Sequence, residues 1–140
     1  MEMPLELRRP EVRLRAVLID PYAGSREGLR ASLEAEGCLV AAAADAMHAV
    51  ALVRAGDFDL GVIDLDLSPA RGLVRSAWEL ARLFRIFNPS APVVLFVAEI
   101  CRDLEAGAIS MDPALLLEKP INPARLRAVV RQLRAETARG

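Results

Sequence analysis

Asp20, Asp64 and Lys119 invite a chemical reading because each stands at or just past the end of a short apolar run. Asp20 follows Ala16–Ile19 (AVLI), Asp64 follows Leu60–Ile63 (LGVI), and Lys119 comes soon after Leu115–Leu117 (LLL). If those runs lie side by side and parallel, their ends gather two carboxylates and an ammonium in one place. Carboxylates about 5 Å apart repel by roughly 3 kcal/mol at an effective dielectric near 20, and a lysine beside them offsets that repulsion. Taken singly the residues have plainer roles, Asp64 as a capping carboxylate and Lys119 as a surface lysine. Other reactive side chains are sparse. Cys38 and Cys101 are lone thiols with no second Cys or His close in sequence, and both are expected to be buried and structural. His48 lies in an Ala-rich stretch and is expected on a helix surface rather than as a pH sensor.

The elements that must position these residues alternate along the chain. Ala16–Ile19 reads as a first buried strand, and Gly24–Glu36, with Leu29 and Leu33 at i,i+4, as a helix stopped by Gly37. Leu39–Ala43 is a weaker second strand, and Asp45 caps a short helix to Arg54, closed by Gly56. Leu60–Ile63 is the third strand. A loop with Ser68, Pro69 and Gly72 then leads into a helix over Leu73–Phe87 that carries Trp78 and Phe84, Trp78 being expected in the core. Val93–Val97 (VVLFV) reads as the fourth strand, Ile100–Gly107 as a poorly defined helix and Leu115–Leu117 as the fifth strand. Asn122 and Pro123 start the final helix, an N-cap followed by proline at the first helical position. Leu126, Val129, Val130 and Leu133 form its apolar stripe, while Arg125, Arg127, Arg131 and Arg134 read as a solvated face.

Strands alternating with helices, and strands that are apolar throughout, predict an α/β fold with a parallel sheet covered on both faces. The topology expected is a (βα)5 doubly wound five-stranded sheet in the order 2-1-3-4-5, flavodoxin-like. The functional cleft of such a sheet lies beyond the carboxyl ends of its strands, where Asp20, Asp64 and Lys119 fall.

Composition sets the outer bounds. At 140 residues the chain suits one domain, read as a charged N-terminal tail over 1–14 and the folded unit over 15–138. An apolar fraction of 54% supports a real core and argues against disorder. A net charge of −1 gives no overall pull toward nucleic acid or an anionic membrane. No run approaches the roughly 20 apolar residues of a membrane span, and residues 1–14 lack a signal peptide's apolar core. The expected location is cytoplasmic.

With this pattern in place, the sequence resembles the receiver domains of two-component response regulators (the CheY-like fold) over roughly Arg15 to Arg134. Val17–Tyr22 followed by Arg26–Arg30 looks like the family's first strand, acidic pair and first helix. Phe58–Leu67 with Gly72 is similar to its phosphoacceptor strand and loop, Pro92–Glu99 to its fourth strand and switch position, and Lys119-Pro120 to its Lys-Pro pair, whose bond is typically cis. The resemblance implies that Asp64 is the phosphoacceptor. Lys119 would reach it and the phosphoryl oxygens, Asp20 would help bind Mg2+ through water, and Asp66 would offer its backbone carbonyl to the metal while its side chain stands aside.

The departures from the family pattern are as informative. Pro21 replaces the second acidic residue, normally a direct Mg2+ ligand, so the Mg2+ site is expected to be weakened. Val97 replaces the Thr or Ser whose hydroxyl bonds a phosphoryl oxygen, and Leu116 replaces the aromatic switch residue. Met111-Asp112-Pro113 replaces a usual Gly-Ala pair, so the fourth helix is expected to be short or displaced. The resemblance thus implies a non-enzymatic module of phosphorelay signalling with weak or absent phosphorylation. It would act on a histidine kinase or other signalling protein, or a second copy of itself, through helix 4, strand 5 and helix 5, with Leu116 and Pro120 on that output face. The chain is read as a stand-alone receiver or as a piece of a larger regulator. The alternative is a fully phosphorylatable switch. A more distant rival is a flavodoxin-like flavin or nucleotide-binding protein using Ala23-Gly24-Ser25, but one glycine and one serine make a poor phosphate cradle.

Overall fold

Strands made of Leu, Val, Ile and Phe at nearly every position have no polar face to turn outward, so they require cover on both sides. The computed structural model describes residues 13–68, 74 and 76–139 and meets that requirement. Strands β1 (Arg15–Ile19), β2 (Leu39–Ala43), β3 (Leu60–Asp64), β4 (Val93–Val97) and β5 (Ala114–Glu118) alternate with helices α1 (Ala23–Ala35), α2 (Ala46–Ala55), α3 (Ala77–Phe87), α4 (Arg102–Ser110) and α5 (Pro123–Arg139). The strands form one parallel sheet in the order β2-β1-β3-β4-β5, as expected from the sequence.

Alternate strand residues feed two cores. Val17, Ile19, Ile63, Val93 and Leu95 pack with α2 and α3, through residues such as Val50, Val53, Leu80 and Phe84. Ala16, Leu18, Val62, Val94 and Phe96 pack on the other face with Leu29 and Leu33 of α1 and Leu126 and Val130 of α5. Each fully buried Leu or Val contributes about 1.5–3 kcal/mol relative to exposure. Gly61 is needed where it stands, because a Cβ there would lie 2.9 Å from the Phe84 ring. Gly37 ends α1 at φ 84, the left-handed conformation suited to glycine, and Cys38 N–H closes back on Leu33 O at 3.1 Å.

The element boundaries differ from the sequence reading by a residue or so at several strands and helices, and most at two helices. The third helix begins at Ala77, where the Ser76 hydroxyl accepts the Glu79 N–H; Leu73, its expected start, lies outside the described residues, as do Pro69, Gly72 and positions 1–12 of the tail. The fourth helix sits two residues late, at Arg102–Ser110, and is as short as expected, with Ala108 its one buried residue. Two other expectations are corrected. Cys101 is exposed, ahead of α4, while Cys38 is buried; both are free thiols. Three arginines of α5 are not a merely solvated face. Arg127 and Arg131 hold the Glu36 carboxylate, with Arg127 Nε at 3.0 Å and Arg131 Nη2 at 2.9 Å, and Arg134 donates to the Glu36 backbone carbonyl. His48 is exposed and Trp78 half-buried, its ring lying over Gly107 of α4.

Candidate functional site

Parallel register brings the chemistry together. Ile19 pairs with Ile63, so Asp20 and Asp64 leave adjacent strands side by side; Asp64 in turn pairs with Phe96 on β4. Both carboxylates are fully buried. Lys119 follows β5, and its backbone N–H donates to Val97 O at 2.8 Å, which fixes where its side chain departs. The Lys119-Pro120 bond is cis, as the Lys-Pro pairing implied, and Asp112-Pro113 is cis as well. Lys119 Nζ reaches Asp64 Oδ2 at 2.9 Å. The same ammonium lies 5.0 Å from the Tyr22 ring centre and 5.7 Å from that of Phe96, within cation–π range.

The other Asp64 oxygen, Oδ1, accepts the Asp66 N–H at 2.8 Å, which folds the loop after β3 back over the strand end. Asp66 does more than turn the chain. Its Oδ2 accepts from Lys119 Nζ and from the Ala98 N–H, each at 2.9 Å. The expectation that its side chain stands aside is therefore corrected. Nothing in the sequence beyond an acidic residue two places after Asp64 pointed to this contact. Asp20 Oδ1 accepts the Tyr22 N–H, Arg26 Nη1 donates to the Asp20 carbonyl, and Asp20 Oδ2 is buried with no hydrogen-bond partner.

The electrostatics follow from burial. Removal from water pushes the Asp64 carboxyl above its ordinary value, and the hydrogen bond from Lys119 recovers only part of that cost. Burial alone would lower Lys119, but its hydrogen bonds to Asp64 and Asp66 outweigh that and raise it. The two directions agree physically: one ammonium shared by two carboxylates is firmly protonated, and the inner carboxylate is under-compensated.

Pro21 and Val97 stand where expected, after Asp20 and at the end of β4, and neither carries a side-chain oxygen. Leu116 is half-buried in β5 against the α2–α3 core, and Pro120 is exposed. Ala23, Gly24 and Ser25 form the first turn of α1. Between that helix and the start of α5 runs a cleft of about 680 Å3 whose lining includes Tyr22, Gly28, Asp66, Ala98, Lys119 and Pro123.

Among the described residues no three His, Cys, Asp or Glu side chains stand together as a ready-made metal cluster. The orphaned Asp20 oxygen beside Asp64 nonetheless fits a cation, since an unpaired buried carboxylate oxygen carries a desolvation cost that a bound ion would remove.

Residues 16–131 match the sequence model of the response regulator receiver domain. The chain is 34% identical over 120 residues to the alginate biosynthesis transcriptional regulatory protein AlgB of Pseudomonas aeruginosa, and 32% identical over 114 residues to the sensor histidine kinase AruS of the same organism. Those matches cover 85% and 81% of this chain but span only 26% and 11% of the two relatives. Among solved structures it resembles a CheY-like receiver domain protein from Methanospirillum hungatei (TM-score 0.77, 21% identity, 92% of this chain and 100% of that one). It also resembles a response regulator protein from Burkholderia pseudomallei with a phosphorylated aspartic acid (TM-score 0.72, 21% identity, 89% of this chain and 71% of that one).

Proposed function

The chain belongs to the response regulator receiver domain family, and from that premise we propose that it is a degenerate receiver in which Asp64 is weakly phosphorylated or not at all. As a receiver domain it is a module of two-component signalling, a class that generally binds Mg2+ for phosphorylation and interacts with histidine kinases and other signalling proteins. The observation that carries the finer reading is a site half kept and half lost. The Asp64–Lys119 pair is in place at 2.9 Å, while Pro21 and Val97 bring no side-chain oxygen to it.

Each residue then has a role. Asp64 is the phosphoacceptor, and Lys119 steadies its carboxylate and the oxygens of an added group. Asp20, Asp64 and the Asp66 carbonyl would hold Mg2+, with Pro21 withdrawing one ligand. The ion, when bound, supplies positive charge against the negative charge that phosphoryl transfer crowds together. In the transfer itself the donor's bond to phosphorus breaks, P–N in a phosphohistidine and P–O in acetyl phosphate, and a P–O bond forms to the Asp64 carboxylate, the donor leaving as imidazole or as acetate. Val97 has the shape of threonine without its donor, so a charge-assisted bond of about 1.5–3 kcal/mol that would tie such a group to β4 is missing. That is comparable to the few kcal/mol separating two states of a switch. The module acts without catalytic turnover, in the cytoplasm, by presenting α4, β5 and α5 to a signalling protein or to a second copy of itself. Ile109, exposed on the short α4, supports that face as the contact.

Incubation with acetyl phosphate and Mg2+, followed by intact mass, tests the proposal. The unmodified chain should gain a phosphoryl group in only a small fraction of molecules. Pro21→Asp combined with Val97→Thr should raise that fraction, and Asp64→Asn should abolish it. Ready labelling of the unmodified chain, with amide shifts spreading from Asp64 to α5, would establish the ordinary switch instead.

A further inference from the structure

The Asp66 carboxylate shares the Lys119 ammonium with Asp64, each at 2.9 Å. Asp64 is fully buried, whereas the Asp66 side chain is 34% exposed, so Asp66 lies on the solvent side of the ammonium they share. The donors at this mouth of the site are Lys119 Nζ, which also holds Asp64 Oδ2, and the N–H of Ala98, the first residue past β4. Both already point at Asp66 Oδ2, each at 2.9 Å. Asp66, Ala98 and Lys119 all line the open cleft, so there is room for an oxyanion once the carboxylate leaves.

We infer that Asp66 is a resident anion, occupying from within the chain an oxyanion site built from the Ala98 N–H and Lys119 Nζ. The inference rests on the reading of Asp64 as the acceptor and gives the weak phosphorylation a second cause, independent of Pro21 and Val97. The incoming phosphoryl group must displace a carboxylate that is tethered, already charge-paired and of like sign. The contact also joins the loop after β3 to the first residue past β4. The backbone next to Val97 is thus held as an oxyanion would hold it, without any modification. The ligand class of the emptied site is a small trigonal or tetrahedral oxyanion such as a phosphoryl group or its beryllofluoride mimic.

The test compares the full chain with Asp66→Ala, and with Asp66→Asn as the shape-conserving variant, by amide-resolved spectra during beryllofluoride titration in Mg2+. Asp66 is exposed, so both variants should fold. The Ala98 amide, deshielded by a carboxylate in the unmodified chain, should move upfield in Asp66→Ala. That variant should respond at roughly tenfold lower beryllofluoride or less, because no charge-assisted contact has to be displaced; Asp66→Asn should fall between. An Ala98 amide unmoved by Asp66→Ala, or equal response of variant and unmodified chain to the probe, overturns the inference. If the amide moves but neither protein responds, the resident carboxylate stands and it is the acceptor role of Asp64 that fails.

Discussion

Two ionic clusters tie this fold together, and they are built in opposite proportions. At the carboxyl ends of the strands, Asp64 and Asp66 share a single ammonium, Lys119. At the turn between α1 and β2, one carboxylate, Glu36, is shared by Arg127 and Arg131, while Arg134 takes its backbone carbonyl. Burial raises the pKa of Asp64, and hydrogen bonds from Arg131 and Arg127 lower that of Glu36. The first cluster is short of positive charge and the second is not. On the proposed reading, the difference separates a place where a further group joins from a seam that holds α5 against α1.

Removing the shared cation should have the largest effect. Lys119→Ala leaves two carboxylates facing each other, one fully buried, and is expected to destabilise the fold by about 3 kcal/mol, as breaking a buried pair on one side does. Urea denaturation at neutral pH measures it, and adding Asp66→Asn should restore part of the loss by relieving the repulsion. If Lys119→Ala cost no more than a surface change, the shared-ammonium description would be wrong.

Removing the buried carboxylate should act in the other direction. Asp64 binds its proton more tightly in the folded chain than in the unfolded one. Its contribution to stability is therefore complete below the unfolded value and is lost as pH rises through the raised folded pKa. Near neutrality the charged form is a burden. Two carboxylates each 2.9 Å from one nitrogen are at most about 6 Å apart and repel by about 3 kcal/mol at an effective dielectric of 20. The attraction to Lys119 across 2.9 Å is larger than that repulsion at the same dielectric, so the burden comes from burial, the largest cause of the raised pKa, and Asp64→Asn should gain a little stability near neutrality. The gain should shrink on acidification, because the carboxyl is then already neutral. Thermal melts across pH check both the sign and the trend.

The contrast also explains what could be read from the sequence. Continuous apolar runs such as VVLFV, each followed by helical spacing, dictate a parallel, doubly covered sheet, and the strand ends then place Asp20, Asp64 and Lys119 without further information. That Pro21 and Val97 carry no side-chain oxygen was legible because it is a property of residue type. The engagement of Asp66 was not. It depends on the loop after β3 folding back through the Asp66 N–H on Asp64 Oδ1, a geometry that spacing alone does not encode. Glu36 was hidden for the same reason: its arginine partners lie some ninety positions away, on a helix whose outer residues look like any solvated face. Cys101 was misplaced because residue type favours burial, while the start of α4 lies at the surface.

The smallest expected effect belongs to the well-compensated cluster. Glu36→Gln removes the charge that Arg127 and Arg131 hold but leaves an amide able to accept from them. The arginines, rather than the apolar core, cover this carboxylate, and both remain substantially exposed. Exposed pairs are weakened by side-chain entropy and screened by salt. The fall in melting temperature should accordingly be slight, smaller than the change from either Asp64→Asn or Lys119→Ala. Its pH dependence runs opposite to that of Asp64. Because the folded pKa of Glu36 is lowered, its stabilisation is present above the unfolded value and disappears as pH falls through the folded one. The variant and the unmodified chain should therefore converge in acid, where the Asp64→Asn gain also vanishes, and separate toward neutrality in opposite senses. Raising the salt concentration should close the Glu36→Gln gap and leave most of the Asp64→Asn gap open, since a buried charge is screened far less. Equal salt sensitivity at the two sites would mean that the strand-end cluster is as solvated as the helix seam, and the contrast between them would collapse.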